Sequence, residues 1–399
     1  TTGGTSSNSP NLSLTGSGTS VQTFTTGSWF GSLNFGTTAF DPGTTSLNLD
    51  ALTLSSGGTF TGLTATMVAS GTITSNGATI AALTISTGTT TLGDALTTVS
   101  TGTTTLTSGT LVLNGFDLTT GIFSSLITNT RVITFGSNYI YLVHTTAAQT
   151  VLNVENPNLS WTGTGGFRAA MTVTRTFKTG GTPNTLSAGV NLFITSGSAA
   201  ITFTAGDWYS TLDFTGSTSS ATVTASSVNV TTLVLASGGT YGLNFTTYKS
   251  GTITSNGKTI GNLVIGNTVY NVAPTVTTLA GPLSCTRFNT QAAGVGSTFD
   301  CASYNLSSSG LFTLNAGGIL LNNATITCTT FQVNGVSFTL TQGTITPSVS
   351  FTVGSSGSFT YTGGTLSAVP TFTQTLGDVT FNKAYSLTST GTYTLTSGT

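Results

Sequence analysis

The stretch SGTITSNGATI at residues 70–80 returns as SGTITSNGKTI at residues 250–260, with a single residue changed. None of these residues is an acid, a histidine or a cysteine, so the repeated stretch can do almost no covalent chemistry. The match extends in both directions and makes residues of about 1 to 87 a duplicate of about 180 to 267. Because self-similarity at long spacing is the signature of repeat architectures, the duplication indicates a repeated shape rather than a repeated reaction.

A shorter unit lies inside the duplicate. Four segments align without gaps, at 71–85, 109–123, 251–265 and 317–331, and each alternates polar and apolar residues around a central Asn-Gly or Asn-Asn. The alternation predicts half-buried strands, and Asn and Gly tolerate the positive φ of a turn. We therefore predict structural turns at the repeated pairs, which are Asn76, Gly77, Asn114, Gly115, Asn256, Gly257, Asn322 and Asn323.

Two all-β architectures fit this unit. Asn-Gly between strands is a strong hairpin signal and is typical of tandem antiparallel β-sandwich modules. The first two copies begin 38 residues apart and the last two 66 residues apart, which corresponds to two coils of 19 and three coils of 22. Such spacing favours a β-solenoid, in which successive coils stack and like residues form ladders. We expect the solenoid, with the repeated Asn side chains hydrogen-bonded to each other as an amide ladder.

The repeats divide the chain into four predicted segments. Residues 1–148 form a first β-repeat module, and residues 181–270 form a second that duplicates about 1–87. Residues 149–180 contain three of the eight basic residues and indicate a junction or inserted strands. Residues 271–399 carry further β-repeats. The final TLTSGT at 394–399 matches 105–110, where the earlier copy continues, so we expect the polypeptide to continue beyond residue 399.

Charged residues are scarce, which limits the possible partners. Asp, Glu, Lys and Arg make up 4% of the chain and the formal net charge is −1. The chain lacks the basic footprint that phosphate binding requires, so we expect no nucleic-acid partner. The longest apolar runs are far shorter than the roughly 18 residues of a membrane-spanning helix, so we expect no membrane insertion.

Three cysteines and one histidine are the other residues with potential chemistry. Cys285, Cys301 and Cys328 lack the close spacing of metal ligands, and we interpret them as small buried apolar residues. A meeting of Cys301 and Cys328 across stacked coils stays open as an alternative. His144 is the single histidine, and we predict that it is structural. No catalytic, metal-binding or cofactor-binding residue is predicted, and no cofactor.

One cluster has the composition of a sugar-binding site. Asp207 and Asp213 flank Trp208 and Tyr209, and pairs of carboxylates are the chemistry of glycoside hydrolases. In the duplicated block the aromatic residues persist, whereas both acids are replaced by uncharged residues. We therefore interpret the aromatic residues as core and the acids as surface variation, with glycan contact at these four residues as the rival hypothesis.

The run TLTSGTLVLNGFDLTTGIFSSLITNTRVITFGSNYIYL at 105–142, together with the TITSNG units, resembles repetitive Thr/Gly-rich β-solenoid-like proteins of tailed-phage virions and bacterial secreted adhesins. The resemblance implies a virion fibre, decoration or tail-associated protein, or an adhesin. We expect a non-enzymatic structural or attachment protein of a virion appendage or extracellular filament, located outside the cell or on the virion surface.

Three alternatives to a virion part remain at this point. A bacterial surface adhesin or surface-layer protein is the first, and a polysaccharide-degrading tailspike and an ice-binding solenoid are the others. Because the ends of a strand stack expose unpaired edges, we expect a homo-oligomer or filament. Host-surface glycans or other virion proteins are the expected partners.

Overall fold

The molecule consists of two compact units, Thr1–Thr204 and Ala205–Thr399. The described residues of both units form β-strands, and none of them is helical. The computed structural model describes residues 9–15, 20–21, 23–36, 40–155, 158–180, 189–217, 227–238, 241–266, 276–291, 297–354, 356–367, 369–375, 377–382 and 393–395.

Strands of the first unit are short and follow one another closely. Their bounds are β1 Asn11–Ser13, β2 Ser20–Val21, β3 Trp29–Asn34, β4 Phe40–Asp41, β5 Thr45–Thr53, β6 Phe60–Met67, β7 Gly71–Thr74, β8 Thr79–Ile85, β9 Thr89–Leu92, β10 Leu96–Thr98, β11 Thr103–Leu106, β12 Gly109–Val112, β13 Leu118–Thr120, β14 Ile122–Ser124, β15 Arg131–Gly136, β16 Tyr139–Leu142, β17 Gln149–Asn153, β18 Leu159–Gly163, β19 Gly166–Met171, β20 Arg175–Lys178, β21 Val190–Gly197 and β22 Ile201–Phe203.

The second unit contains the remaining described strands. Their bounds are β23 Trp208–Asp213, β24 Ser227–Val234, β25 Asn244–Thr247, β26 Gly251–Thr254, β27 Thr259–Ile265, β28 Val276–Leu279, β29 Leu283–Thr290, β30 Thr298–Asp300, β31 Leu306–Ser308, β32 Leu311–Leu314, β33 Gly318–Leu320, β34 Thr325–Val333, β35 Ser337–Leu340, β36 Thr344–Val353, β37 Ser358–Tyr361, β38 Thr365–Leu366, β39 Thr371–Gln374, β40 Asp378–Phe381 and β41 Tyr393–Leu395.

Within the first unit a typical coil passes through three strands, one on each of three faces. The coil β9–β10–β11 pairs with β12–β13–β14, and that coil pairs with β15–β16–β17. The next coil, β18–β19–β20, continues the same three faces. Residues 158–178, inside the segment expected to be a junction or inserted strands, therefore form one coil of the stack.

The second unit uses longer strands that bend from one face to the next. The first part of β29 pairs with β31, and its last part pairs with β32. Both β31 and β32 then pair with β34 of the following coil, and β34 pairs with β36. A third face of the final coils is formed by β35, β37 and β40.

These pairings confirm the predicted all-β β-solenoid. The described strand pairs are parallel, and the two units contain about 15 turns between them. The alternative of antiparallel β-sandwich modules is wrong, because the strands on either side of the Asn-Gly turns pair with other coils and not with each other. The module boundaries at 148, 180 and 270 stay predictions. The division into two compact units follows the contacts within each unit and does not test where one repeat copy ends and the next begins.

The interior is filled by like residues stacked coil upon coil. On one face of the first unit, Leu96, Leu118, Ile140, Phe167 and Leu192 lie in register on five consecutive coils. Each has at most 1% of its surface exposed. Because side chains alternate across a strand, every second residue faces this interior, which explains the alternation seen in the sequence.

An aromatic ladder runs through the interior of the second unit. The rings of Phe288, Phe312, Phe331, Phe351 and Phe372 stack with centroid separations of 4.2, 4.9, 5.2 and 5.3 Å. Their planes lie within 14° of parallel from one coil to the next. The spacing follows the distance of roughly 4.7–4.9 Å between hydrogen-bonded strands, so each ring covers the ring of the preceding coil.

The first residue of the repeat is a glycine because the coils touch there. A Cβ atom on Gly71 would lie 1.8 Å from the carbonyl oxygen of Asp50, and one on Gly251 would lie 2.0 Å from that of Thr231. Neither distance leaves room for a carbon atom, so any larger residue would push adjacent coils apart. The two copies of SGTITSNG therefore keep the same glycine for the same steric reason.

Candidate functional site

The corners of the coils are built from the predicted turn residues. All eight have positive φ, from 47° at Asn322 to 88° at Gly115. In each turn the residue after the pair donates its backbone N–H to the carbonyl of the residue before it, as from Ala78 to Ser75 at 3.0 Å. The same bond recurs at Phe116, Lys258 and Ala324, with lengths of 3.0, 3.0 and 2.8 Å. Positive φ at two consecutive residues here turns the chain from one face to the next.

Asparagine side chains at these corners bind the preceding coil. The amide of Asn76 donates to the carbonyl oxygen of Leu54 at 2.7 Å, and that of Asn114 donates to Leu92 at 3.2 Å. Asn256 makes the same bond to Leu235 at 2.6 Å. The prediction of an Asn-to-Asn ladder at this position is therefore wrong. The repeated Asn residues are two or more coils apart, whereas a backbone carbonyl of the preceding coil lies within reach of the amide. That carbonyl would otherwise lack a hydrogen-bond donor.

Carboxylates add further bonds at several corners. Asp94 accepts the backbone N–H groups of Ser75 and Asn76, at 2.7 and 2.5 Å, and so stabilises the turn of an adjacent coil. Asp117 accepts the N–H of Tyr139 at 2.8 Å in the same way, across 22 residues of chain. Such charge-assisted bonds are stronger than neutral ones, and here they join adjacent coils.

The residues predicted as a possible sugar site are mostly internal. Asp207 and Tyr209 have no exposed surface and Trp208 has 5%, and the Tyr209 hydroxyl donates to Asp207 at 3.4 Å. Trp208 packs edge-on against Tyr248, with 4.4 Å between ring centroids. The aromatic residues are therefore core, as predicted, whereas Asp207 is buried and is not a surface variation.

The second acid of that predicted site lies at a turn. Asp213 is half-buried, and its Oδ1 accepts both the backbone N–H and the side-chain hydroxyl of Thr215, each at 2.7 Å. This short-range bonding is typical of an Asp that stabilises a turn. Asp207 and Asp213 thus have separate local roles in this structure, and neither Trp208 nor Tyr209 offers a ring face to solvent.

A cluster that the sequence analysis missed lies on the outer surface of the first unit. Tyr141, Arg168 and Phe193 occupy the same register on three consecutive coils. The Arg168 guanidinium lies 3.5 Å from the centroid of the Tyr139 ring and donates to the Tyr141 hydroxyl at 3.1 Å. A cation over an aromatic face is attractive by about 0.5–1 kcal/mol at an exposed site. The outward alternation of Tyr139 and Tyr141 was the available signal.

Two arginines lie inside the first unit, which the sequence did not indicate. Arg131 and Arg175 have at most 2% of their surface exposed. Arg175 donates to the carbonyl oxygens of Leu142 and His144 on the preceding coil, and Arg131 donates to the carbonyl of Asn129 at 2.7 Å. Burial lowers the pKa of both guanidinium groups. They act as internal donors that satisfy backbone carbonyls at the coil corners.

The histidine and the cysteines are also internal. His144 is 6% exposed, and its Nδ1 accepts the backbone N–H of Thr146 at 3.1 Å, which is a structural role. All three cysteines, Cys285, Cys301 and Cys328, are buried free thiols. This agrees with their interpretation as small apolar core residues. Cys285 is in register with Ser308 of the following coil.

Within the part of the chain that the structure describes, no metal-ligand cluster and no membrane-spanning helix was found. No three His, Cys, Asp or Glu side chains in these ranges are grouped so that they could hold a metal ion. Among the same residues, no helix has the length and apolar character needed to cross a bilayer.

Comparison of the chain with protein-family models, with curated proteins and with solved structures gave no match.

Proposed function

We propose that this protein is a non-enzymatic structural and attachment protein of a virion appendage or extracellular filament. One observation supports the proposal most directly: within each unit the coils share a continuous interior, so each coil is the platform for the next. Repetitive stacking of this kind builds an extended surface from a simple sequence rule. It also explains why the repeated letters are those that bend the chain and fill the core.

The energetics favour a role that depends on the stack as a whole. A coil of about twenty residues loses roughly 1–2 kcal/mol of backbone conformational entropy per residue on folding, which one coil cannot recover alone. Stability therefore comes from contact between coils, which suits a scaffold that stays folded outside the cell. A parallel stack also has an unpaired strand edge at each end, and such edges pair with further chain or with another subunit.

Localisation and assembly test this proposal together. Antibodies raised against the purified chain should label appendages of virus particles, or filaments outside cells, in immunogold electron microscopy of particle and cell fractions. Light scattering and negative-stain images of the purified chain should show homo-oligomers or filaments. Labelling confined to the cell interior, together with a purified chain that stays monomeric, would overturn the proposal.

The alternative hypothesis, based on Asp207 and Asp213, is that the protein is a polysaccharide-degrading enzyme. We expect the purified chain to leave capsular and envelope polysaccharides intact in a reducing-end assay. Cleavage that is abolished by Asp207→Asn or Asp213→Asn would replace the structural proposal with an enzymatic one. Microscopy that labels virions or cell-surface layers would then separate a virion part from a bacterial adhesin or surface-layer protein.

A further inference from the structure

A groove of about 330 Å³ lies on the outer surface of the second unit, across β27, β29, β32 and β34. Of the eleven residues that line it, five carry carboxamide side chains and one carries a guanidinium, and the others are Thr313 and the apolar residues Leu263, Val264, Phe288 and Leu311. The residues that carry the carboxamides and the guanidinium are Asn262, Arg287, Asn289, Asn315, Gln332 and Asn334. We refer to them together as the amide groove.

Three of these amides form a hydrogen-bonded ladder along the stack. Asn315 donates to the side-chain oxygen of Asn289 at 2.7 Å, and Asn334 donates to that of Asn315 at 3.4 Å. The ladder has a direction, so the amide nitrogen of Asn289 and the side-chain oxygen of Asn334 have no partner among the described residues. Chains of hydrogen bonds polarise one another, which strengthens the donor at one end and the acceptor at the other.

The other polar groups of the groove are also available for a ligand. The side chains of Asn262, Arg287 and Gln332 make no hydrogen bond to any described residue, and Arg287 is exposed. Each carboxamide offers two N–H donors and a carbonyl acceptor, a pattern that matches the adjacent hydroxyl groups of a sugar. The single charged side chain of the lining is a cation, whose planar fork binds carboxylates through two parallel bonds.

The floor of the groove is formed by packed interior residues. Directly beneath it, Phe288 and Phe312 belong to the stacked aromatic ladder and have at most 1% of their surface exposed. Because the coils repeat at roughly 4.8 Å, the four coils of the groove span about 14 Å along the stack, enough for a short oligosaccharide. The three amides that are already held in the ladder lose little further rotamer freedom when a ligand binds.

We propose that the amide groove binds a glycan chain containing an acidic sugar, with the carboxamides on its hydroxyl groups and Arg287 on its carboxylate. This inference rests on the attachment role proposed above and names its ligand class. The carboxamides favour a ligand rich in hydroxyl groups, and the lone cation favours an acidic sugar over a neutral one.

Calorimetry with defined oligosaccharides tests the proposal. The purified full chain is titrated with an oligosaccharide of alternating hexuronic acid and N-acetylhexosamine, and with a neutral glucose oligosaccharide of equal length. We expect the acidic oligosaccharide to bind at least about tenfold more tightly, because its carboxylate would accept charge-assisted hydrogen bonds from Arg287. Arg287→Ala should abolish this preference, and Gln332→Ala should weaken both oligosaccharides severalfold.

Matched variants elsewhere on the surface serve as controls. Lys258→Ala removes a positive charge and Gln342→Ala removes an exposed carboxamide, both outside the amide groove, and neither should change the affinity. Circular dichroism of all four variants checks that they fold. No binding of either oligosaccharide, or binding that Arg287→Ala and Gln332→Ala leave unchanged, would overturn the proposal. That outcome would leave the assembly and labelling experiments untouched, so the structural function is tested separately.

Discussion

At the scale of single residues, two conserved positions within the repeat unit, the first and the sixth, have distinct structural roles. Glycine at the first position allows coils to approach where a Cβ would collide with a carbonyl oxygen, as at Gly71 and Gly251. Asparagine at the sixth position combines a positive φ with an amide bond to the preceding coil, as at Asn114. Neither task uses charge or reactivity, which explains why a sequence so poor in ionisable groups can specify the corners.

Gly71→Ala should destabilise the first unit by about 1–3 kcal/mol, the usual range for forcing an extra methyl group into a filled site. The added carbon would lie 1.8 Å from the Asp50 carbonyl oxygen, so the coils must shift. Urea denaturation monitored by circular dichroism measures the loss. Gly318→Ala is the control: a Cβ there meets no atom within 4 Å, and its unfolding free energy should stay level or rise slightly. Equal losses for both variants would contradict the steric argument.

Replacing Asn114 separates its two tasks. Asn114→Gly keeps the φ of 54° accessible but removes the amide bond to Leu92, and should cost about 0.5–1.5 kcal/mol. Asn114→Ala also forces a residue with a Cβ into the left-handed region, and should cost about 1 kcal/mol more. Thermal unfolding of the two variants gives the difference. If the alanine and glycine variants were equally stable, the backbone conformation would not be what selects asparagine here.

At the scale of the strand, the ladder is the unit of stabilisation. Each strand makes its ladder hydrogen bonds with strands of the coils before and after it. Its buried side chains also contact those of other strands in the same coil, as Phe331 contacts Phe338. The Phe288 to Phe372 ladder shows this well, since its five rings come from five coils and touch only in the stack. Stability in such an array is approximately a sum of nearest-neighbour terms, so damage should stay local.

Phe331→Ala should therefore open the middle of the second unit. Phe331 has no exposed surface and stacks on Phe312 and Phe351, so truncation should cost about 3–5 kcal/mol. Hydrogen exchange should increase in β32, β34 and β36 while β9 to β17 remain protected. Phe381→Ala, at a ring that is 42% exposed, is the control and should cost less than half as much. Uniform loss of protection across the chain would argue against local stabilisation.

At the scale of the whole molecule, the near absence of charge is the dominant property. With only 17 charged residues in 399, folding rests on burial and hydrogen bonding rather than on ion pairs. Threonine, serine and asparagine supply most of the polar side chains of the sequence. The few ionisable groups that are buried, including the three thiols, are held in uncharged or internally bonded form.

Alkaline pH should reveal the buried thiols. Burial raises the pKa of Cys285, Cys301 and Cys328 to about 12, from an ordinary 9.0. Between these pH values the unfolded chain binds fewer protons than the folded chain. The contribution of the thiols to the free energy of unfolding is therefore fully present below about pH 9 and is lost as the pH rises toward 12. Each thiol contributes up to about 1.4 kcal/mol per pH unit in this window. Urea midpoints from pH 8 to 10.5 measure the slope.

The control for the thiol prediction removes all three groups at once. A Cys285→Ala, Cys301→Ala, Cys328→Ala variant should show a shallower fall in stability above pH 9, whatever its stability at neutral pH. An Ellman reagent should label the native protein only after urea unfolding, since the thiols are buried and protonated. A slope that is unchanged in the variant would show that other groups govern the alkaline loss.

Salt should have little effect on the stability of either unit. Screening weakens interactions between exposed charges, and this chain has few of them. Unfolding midpoints in urea should change by less than experimental error between 0.05 and 0.5 M sodium chloride, roughly the range over which the Debye length falls from well above to well below 10 Å. A marked salt dependence would show that the sparse charges are coupled.

The amino-acid sequence by itself determined the strands, the turns and the stacked β class. The alternation of polar and apolar residues and the positive φ of the turns depend on residues that are adjacent in sequence. Short segments such as Thr-Ile-Thr and Asn-Gly therefore predict them. The tertiary structure alone decided that Asn76 bonds the Leu54 carbonyl instead of another asparagine, that Asp207 is buried, and that Asn289, Asn315 and Asn334 form a ladder. These facts depend on which residues about twenty apart in sequence come into register. That register is set by how the coils pack, and no local pattern encodes it.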